Sequence, residues 1–213
     1  MHVFILKILA NIRAVNYTNS MGNNSNLTSL TDHIKPGNVY RRESLQPYSN
    51  AVDRHLRQLT QDGLLQKIAP GLYYASKMSR FGQLPPNDHC LVKAFLRDDN
   101  FLLFSHNAYN SLNLGLTQVY NHTIVYNHKR HGQFKLGNKT FDFRRPTGGF
   151  PKKLTAAFLL VDLFNHANEL ADENIESLKE KVKTRVNVSL LNEAKRMAKC
   201  YGKVATKKFF SAI

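Results

Sequence analysis

Val52, Leu56 and Leu59 fall at i, i+4 and i+7, one apolar stripe of a helix, and polar residues fill the positions between. At about 100° per residue the opposite face carries Asn50, Arg54, Arg57 and Gln61, with Gln58 at its edge. Ser49 or Asn50 is placed to cap this helix, and Gly63 ends it. Leu64-Leu65 then leads into Gln66–Ile68, Ala69-Pro70-Gly71 makes a tight turn, and Leu72–Tyr74 runs back, which predicts a hairpin. Upstream, Thr28 to Ile34 reads as a helix stopped by Lys35-Pro36-Gly37. Val39-Tyr40 is a short strand, and Arg42 to Leu45 starts another helix. Across Val39–Ser76 the order is strand, helix, turn, helix, hairpin, which is that of a winged helix-turn-helix.

The pattern changes after Ser76. Ala75 to Asn87 is rich in Ser, Gly and Pro and reads as a linker, followed by a helix over His89–Arg97 capped by Asp88. Phe101–Phe104 is a buried strand, and Ser105 caps a helix through Leu112. Thr123–Tyr126, Gln133–Leu136 and Thr140–Arg144 alternate as strands. His128–Gly132 joins the first two as a hairpin tip, and Gly137-Asn138 joins the second pair. Lys152–Leu170 is an apolar helix; Ile175–Val186 and Ser189–Tyr201 are further helices, and a last short one follows Lys203. The expected fold is α+β: an N-terminal winged helix-turn-helix over residues 27–78, a linker at 79–86, and a mixed α+β C-terminal domain at 87–213 ending in helices. Residues 1–26 read as a tail or a gene-model extension with Met21 as the true start.

Charge sharpens this picture. A formal net charge of +15 and a pI near 9.9 point to a polyanionic partner, and the excess is spread along the whole chain. Cys90 and Cys200 are far apart, which argues for a reducing, cytoplasmic setting and against a disulfide framework or a cysteine-rich zinc site. No apolar run approaches the ~20 residues that span a bilayer, so no membrane partner is expected.

On the polar face of the second helix, Asn50, Arg54, Arg57 and Gln58 carry donor and acceptor pairs suited to base edges; the competing reading is the solvated face of any amphipathic helix. Arg41, Arg42, Ser49 and Lys67 are placed to meet phosphates, where Arg41-Arg42 could equally form a solvated basic pair. His55, on the flank of the stripe, reads as a packed core histidine. His128-Lys129-Arg130-His131 reads as an exposed basic loop, with no acid or cysteine at metal-ligand spacing. Arg144-Arg145 and Lys152-Lys153 around Thr147-Gly148-Gly149 read as a flexible basic loop between strand and helix, with a phosphate cradle as the competing reading. GxxxxGK(S/T), GxSxG and HExxH are missing, and no catalytic residue, cofactor or metal is expected.

Several short motifs together resemble the AbiEi-type antitoxins of type IV (abortive-infection) toxin–antitoxin systems. They are Gly37-Asn38-Val39-Tyr40, Ala51-Val52 and Gly71-Leu72-Tyr73-Tyr74. They continue through Ala108 to Gly115, Thr117-Gln118, the TIVY strand and Leu136-Gly137-Asn138-Lys139-Thr140. The resemblance spans residues 27–200 and departs at Pro70, where that family usually carries a basic residue, and in the tail KVATKKFFSAI. It implies a winged helix that represses its own operon by binding double-stranded operator repeats. It also implies a C-terminal domain that suppresses a nucleotidyltransferase toxin. Two alternatives stay open: a stand-alone winged-helix regulator, and a protein-interaction module that has lost DNA binding.

Overall fold

The computed structural model describes residues 24–116, 122–169 and 174–213. The reading of residues 1–20 as an extension, and Thr117-Gln118, lie outside the described residues. The chain divides into two units, 1–94 and 95–213, and the architecture is mixed α+β.

Among the described residues unit 1 opens with helix α1, Asn24–His33, which starts four residues earlier than the Thr28 expected from the apolar pattern. Strand β1 (Val39–Arg41), helix α2 (Arg42–Leu45), a 3-10 turn (Gln46–Tyr48), helix α3 (Val52–Gln61) and strands β2 (Leu65–Ala69) and β3 (Leu72–Ala75) follow. The sheet order is β1-β3-β2, antiparallel throughout, with Val39 opposite Tyr74 and Lys67 opposite Tyr73. The stripe read from the sequence is the core. Val52, Leu56 and Leu59 of α3 meet Leu30, Leu45, Leu65 and Ala75, and Leu56 is fully buried. Each such leucine contributes about 1.5–3 kcal/mol. Tyr74 lies inside and Tyr73 is half-buried, as strand alternation requires. At the hairpin tip Gly71 takes φ +67°, which favours glycine, and its carbonyl accepts from the Arg42 N–H at 2.9 Å.

Residues 77–84, expected within a linker, are folded instead. Strands β4 (Lys77–Ser79) and β5 (Gly82–Leu84) pair antiparallel. The Ser79 hydroxyl closes their turn, accepting from Phe81 N–H at 3.2 Å and donating to the Gly82 carbonyl at 2.9 Å. Ser and Gly here make a turn within a hairpin, which composition alone cannot tell from a loop. Helix α4, Asp88–Leu96, is capped by the Asn87 side chain, which accepts from Cys90 N–H at 3.2 Å, and not by Asp88.

Unit 2 holds a four-stranded sheet of order β6-β7-β9-β8, built from Phe101–Ser105 (β6), Thr123–Asn127 (β7), Gly132–Leu136 (β8) and Lys139–Arg144 (β9). Here a second expectation is corrected. The segment His128–Gly132 joins strands that do not pair, because β9 lies between them and runs parallel to β7. Burial explains the order: Phe141 and Phe143 of β9 are fully buried, as a central strand needs, whereas β8 alternates like an edge. The buried Asn127 side chain fixes the crossing, accepting from the N–H groups of Lys129 and Arg130 and donating to the Arg144 carbonyl at 3.3 Å. A 3-10 helix, His106–Leu112, follows β6 and is capped by Ser105 as expected.

Helix α5 is Ala156–Asn165, shorter than the expected Lys152–Leu170, because Thr155 caps it by accepting from Phe158 N–H. Helices α6 (Ile175–Arg185), α7 (Val188–Tyr201) and α8 (Val204–Ala212) end the chain. Phe158, Leu160 and Leu163 of α5 are buried with Leu178, Val182, Ala194 and Phe210 of these helices. Among the described residues no helix is long and apolar enough to cross a membrane.

Candidate nucleic-acid interface

With its apolar stripe turned inward, α3 presents Asp53, Arg54, Arg57 and Gln61 to solvent, with Gln58 half-buried between them. Asn50 is exposed on the turn just before the helix. Of these, Asn50, Asp53 and Arg54 border a shallow depression of about 350 Å³ lined on its other side by Arg42 and Gln46. Of the four expected base-reading side chains, Arg54 and Arg57 are exposed on α3, Gln58 is half-buried on it, and Asn50 is exposed on the turn before it; only Asn50 and Arg54 share the depression.

The four expected phosphate contacts are not brought together in the same way. Lys67 is exposed on β2, opposite Tyr73. Arg41 is tied down, with Nε 3.2 Å from Glu43 and Nη1 donating to the Ala94 carbonyl at 3.0 Å. Arg42 makes a two-pronged pair with Asp53, Nε and Nη2 each 2.6 Å from a carboxylate oxygen. That hydrogen bond raises the Arg42 pKa and holds the Asp53 carboxyl below its usual range. Ser49 is corrected most clearly. It is only 6% exposed, and its Oγ sits 2.7 Å from His55 Nδ1 and accepts from Ala51 N–H at 3.1 Å. It therefore fixes the turn into α3 from inside. Helix α3 starts after Ala51 with no side-chain cap, so neither Ser49 nor Asn50 caps it.

His55 is 2% exposed, the packed histidine that its flank position suggested. Burial, with Arg54 beside it, lowers its pKa and keeps the ring neutral near pH 7. A folded-state pKa below the ordinary value makes the histidine's contribution complete above about pH 6.5 and lost as pH falls through the folded value. Ser49→Ala removes the hydroxyl partner, and we expect it to cost about 1–3 kcal/mol of folding stability. Urea unfolding at neutral pH reads this; unchanged stability would show that the pair holds nothing.

Asp53 was missed by the sequence reading, although it stands on the same face as Arg54 and Arg57. Its charge opposes a polyanion and occupies Arg42. Asp53→Asn removes one negative charge and loosens one arginine, so tighter duplex binding is expected, with a slope of log K against log salt steeper by about 1. Weaker binding by this variant would mean that Asp53 orders the face for contact.

Unit 2 carries a different polar concentration, and it is closed. The Asp162 carboxylate, 1% exposed in the middle of α5, accepts from the hydroxyls of Tyr109 and Tyr126, each at 2.7 Å. His166 Nδ1 lies 3.3 Å from the same carboxylate. Burial first and then the carboxylate push both phenols well above the ordinary tyrosine range, so both stay protonated as donors. The apolar pattern of α5 hides this cluster; Asp162 inside LLVDLF is its one signal in the sequence.

The basic loops of unit 2 are engaged with their own unit. Arg130 lies over the Phe95 ring at 4.6 Å, and Lys129 Nζ is 3.1 Å from Asp98. Arg144 pairs with Asp142 and Glu169, both at 2.7 Å. Gly148 sits so close to the end of α7 that a Cβ there would lie 3.2 Å from the Cys200 carbonyl, while Thr147 and Gly148 remain exposed. Among the described residues no group of three or more His, Cys, Asp or Glu could hold a metal ion.

Comparison with known sequences matches a family over residues 32–196, a span that takes in α3 and the buried Asp162. The chain belongs to the DUF6088 family. DUF6088 is described as a family of unknown function. No curated protein matches the chain. A similar solved structure is that of the RV2827C protein from Mycobacterium tuberculosis, 18% identical, the match covering 89% of this chain and 80% of that one with a TM-score of 0.43. At that similarity no role carries over.

Proposed function

We propose that residues 27–78 of this DUF6088 chain form a winged helix-turn-helix that binds duplex DNA, with α3 in the major groove and the β2–β3 hairpin as its wing. The observation that carries this reading is the exposed face of α3, where Asn50, Arg54 and Arg57 stand together above a stripe fully committed to the core. Arginine and asparagine pair bidentately with guanine and adenine, and a helix of this length fits the groove. The net charge of +15 supports a polyanionic partner.

We further propose that the chain is a cytoplasmic antitoxin of a type IV system, repressing its own operon and counteracting a nucleotidyltransferase toxin through its C-terminal half. This part rests on the resemblance to AbiEi-type proteins. The DNA reading is tested by titrating the protein on its own promoter fragment and on a scrambled duplex over a range of salt. A salt-sensitive complex that prefers the promoter is expected; no complex would leave a protein-interaction module. Co-expression with the product of a neighbouring nucleotidyltransferase gene tests the second part. Rescue of growth is expected, and failure of rescue would leave a stand-alone regulator.

A further inference from the structure

Among the described residues the hairpin β4–β5 adds no side chain to the core cluster around Leu56 and pairs with no other strand. Two-stranded hairpins are marginal by themselves in water, yet this one is fastened at both ends. At its base the Tyr74 hydroxyl donates to the Leu84 carbonyl at 2.9 Å, and Gln83 Nε2 donates to Ser76 Oγ at 2.8 Å. At its tip Ser79 ties the turn, and Gly82 supplies a φ of +113°. What this braced arm displays is Phe81, 91% exposed, with Met78 67% exposed along its side. The Arg80 guanidinium lies 5.8 Å from the Phe81 ring centroid, and Lys77 is exposed at the start of the arm. From Gly63 to Asn87 the chain has no acidic residue, so no acid stands near Lys67, Lys77 or Arg80 in the sequence.

An aromatic ring at the tip of a cationic arm matches the chemistry of nucleic acid, whose phosphates take the cations and whose base steps take the ring. A second copy of the chain fits less well, since two such arms would bring Lys77 and Arg80 against their like. We propose that β4–β5 is a second duplex-DNA contact: Phe81 is an apolar wedge at a base step in the minor groove, and Lys77 and Arg80 neutralise flanking phosphates. This rests on the reading of α3 as a DNA contact and adds an element that bends the duplex.

The test uses the full chain on its promoter fragment, with binding measured over salt and bending measured by gel mobility of circularly permuted duplexes. Phe81→Ala is expected to weaken binding about tenfold and reduce the bend, while Phe81→Leu, which keeps a wedge, retains most of both. Lys77→Gln with Arg80→Gln is expected to flatten the slope of log K against log salt by about 2 while the bend persists. Phe81, Arg80 and Lys77 are exposed, although the Lys77 stem lies beside Gly37, and thermal unfolding like the parent's checks that the fold is intact. If these variants match the parent in affinity, slope and bend while Arg54→Ala loses promoter binding, the arm is not a DNA contact and the α3 reading stands. If the parent itself binds no duplex, both readings fall. If Phe81→Ala instead dissociates an oligomer in sedimentation with the salt slope unchanged, the arm is a self-association surface and the proposal is overturned.

Discussion

Arg54→Ala and Arg57→Ala are each expected to weaken binding to the operator by about 1–3 kcal/mol, or roughly 5- to 150-fold, and to relax preference for one or two base positions. Both guanidinium groups leave α3 on the exposed side, three residues apart and so on neighbouring turns, where two successive base pairs can be reached from one helix. Competition titrations at fixed salt separate the two roles that an arginine can play. A base reader loses affinity for the operator and little for a scrambled duplex; a phosphate contact loses both alike and lowers the salt slope by about 1. Lys67→Gln supplies the comparison for the second pattern. If Arg54→Ala and Arg57→Ala left operator binding at the parent level across salt, the face of α3 would not be the reading surface.

Asp162→Ala is expected to cost about 2–4 kcal/mol of folding stability. It strands the Tyr109 hydroxyl and leaves the Tyr126 hydroxyl only the long contact to His166 Nδ1 at 3.4 Å, in a site where both tyrosines are 1% exposed, and it leaves a void in the centre of α5. Loss of a buried charge offsets part of the cost, so the figure stays below the sum of two unsatisfied donors and a cavity. Asp162→Asn keeps one acceptor and turns an amide donor toward the other hydroxyl, so a smaller loss, about 1–2 kcal/mol, is expected. Urea unfolding followed by tyrosine fluorescence reads both. Asp162→Ala at parent stability would mean that the cluster is held by packing and not by the carboxylate.

Much of unit 1 was legible because its elements announce themselves locally. The Val52, Leu56, Leu59 stripe fixed which side of α3 is buried, and therefore which side shows Arg54 and Arg57. The Pro70-Gly71 turn placed the hairpin. What escaped was the set of partners that those side chains take across space. Nothing in the spacing says that Arg42 reaches Asp53 eleven residues on, or that Ser49 turns inward to His55 instead of outward to solvent. The β4–β5 arm was hidden for a related reason, since Ser79 and Gly82 look alike in a linker and in a tight turn until their hydrogen bonds are seen. In unit 2 the strands and most helices were readable, but strand order was not. A short connection such as His128–Gly132 suggests adjacency by length alone, and only the burial of Phe141 and Phe143 decides which strand is central.

The strand order has a consequence for how unit 2 reaches its native state. Strand β9 meets β8 across a two-residue turn at Gly137-Asn138, but meets β7 only in parallel, with all of β8 lying between them in the chain. Local closure costs less chain entropy than distant closure, so the β8–β9 hairpin is expected to form before β9 docks beside β7. The Asn127 side chain gains its bond to the Arg144 carbonyl only once that strand has arrived. Until then the flank of β7 that will receive β9 is an open edge, and the speed of this docking sets how long the nascent chain is open to pairing with its neighbours.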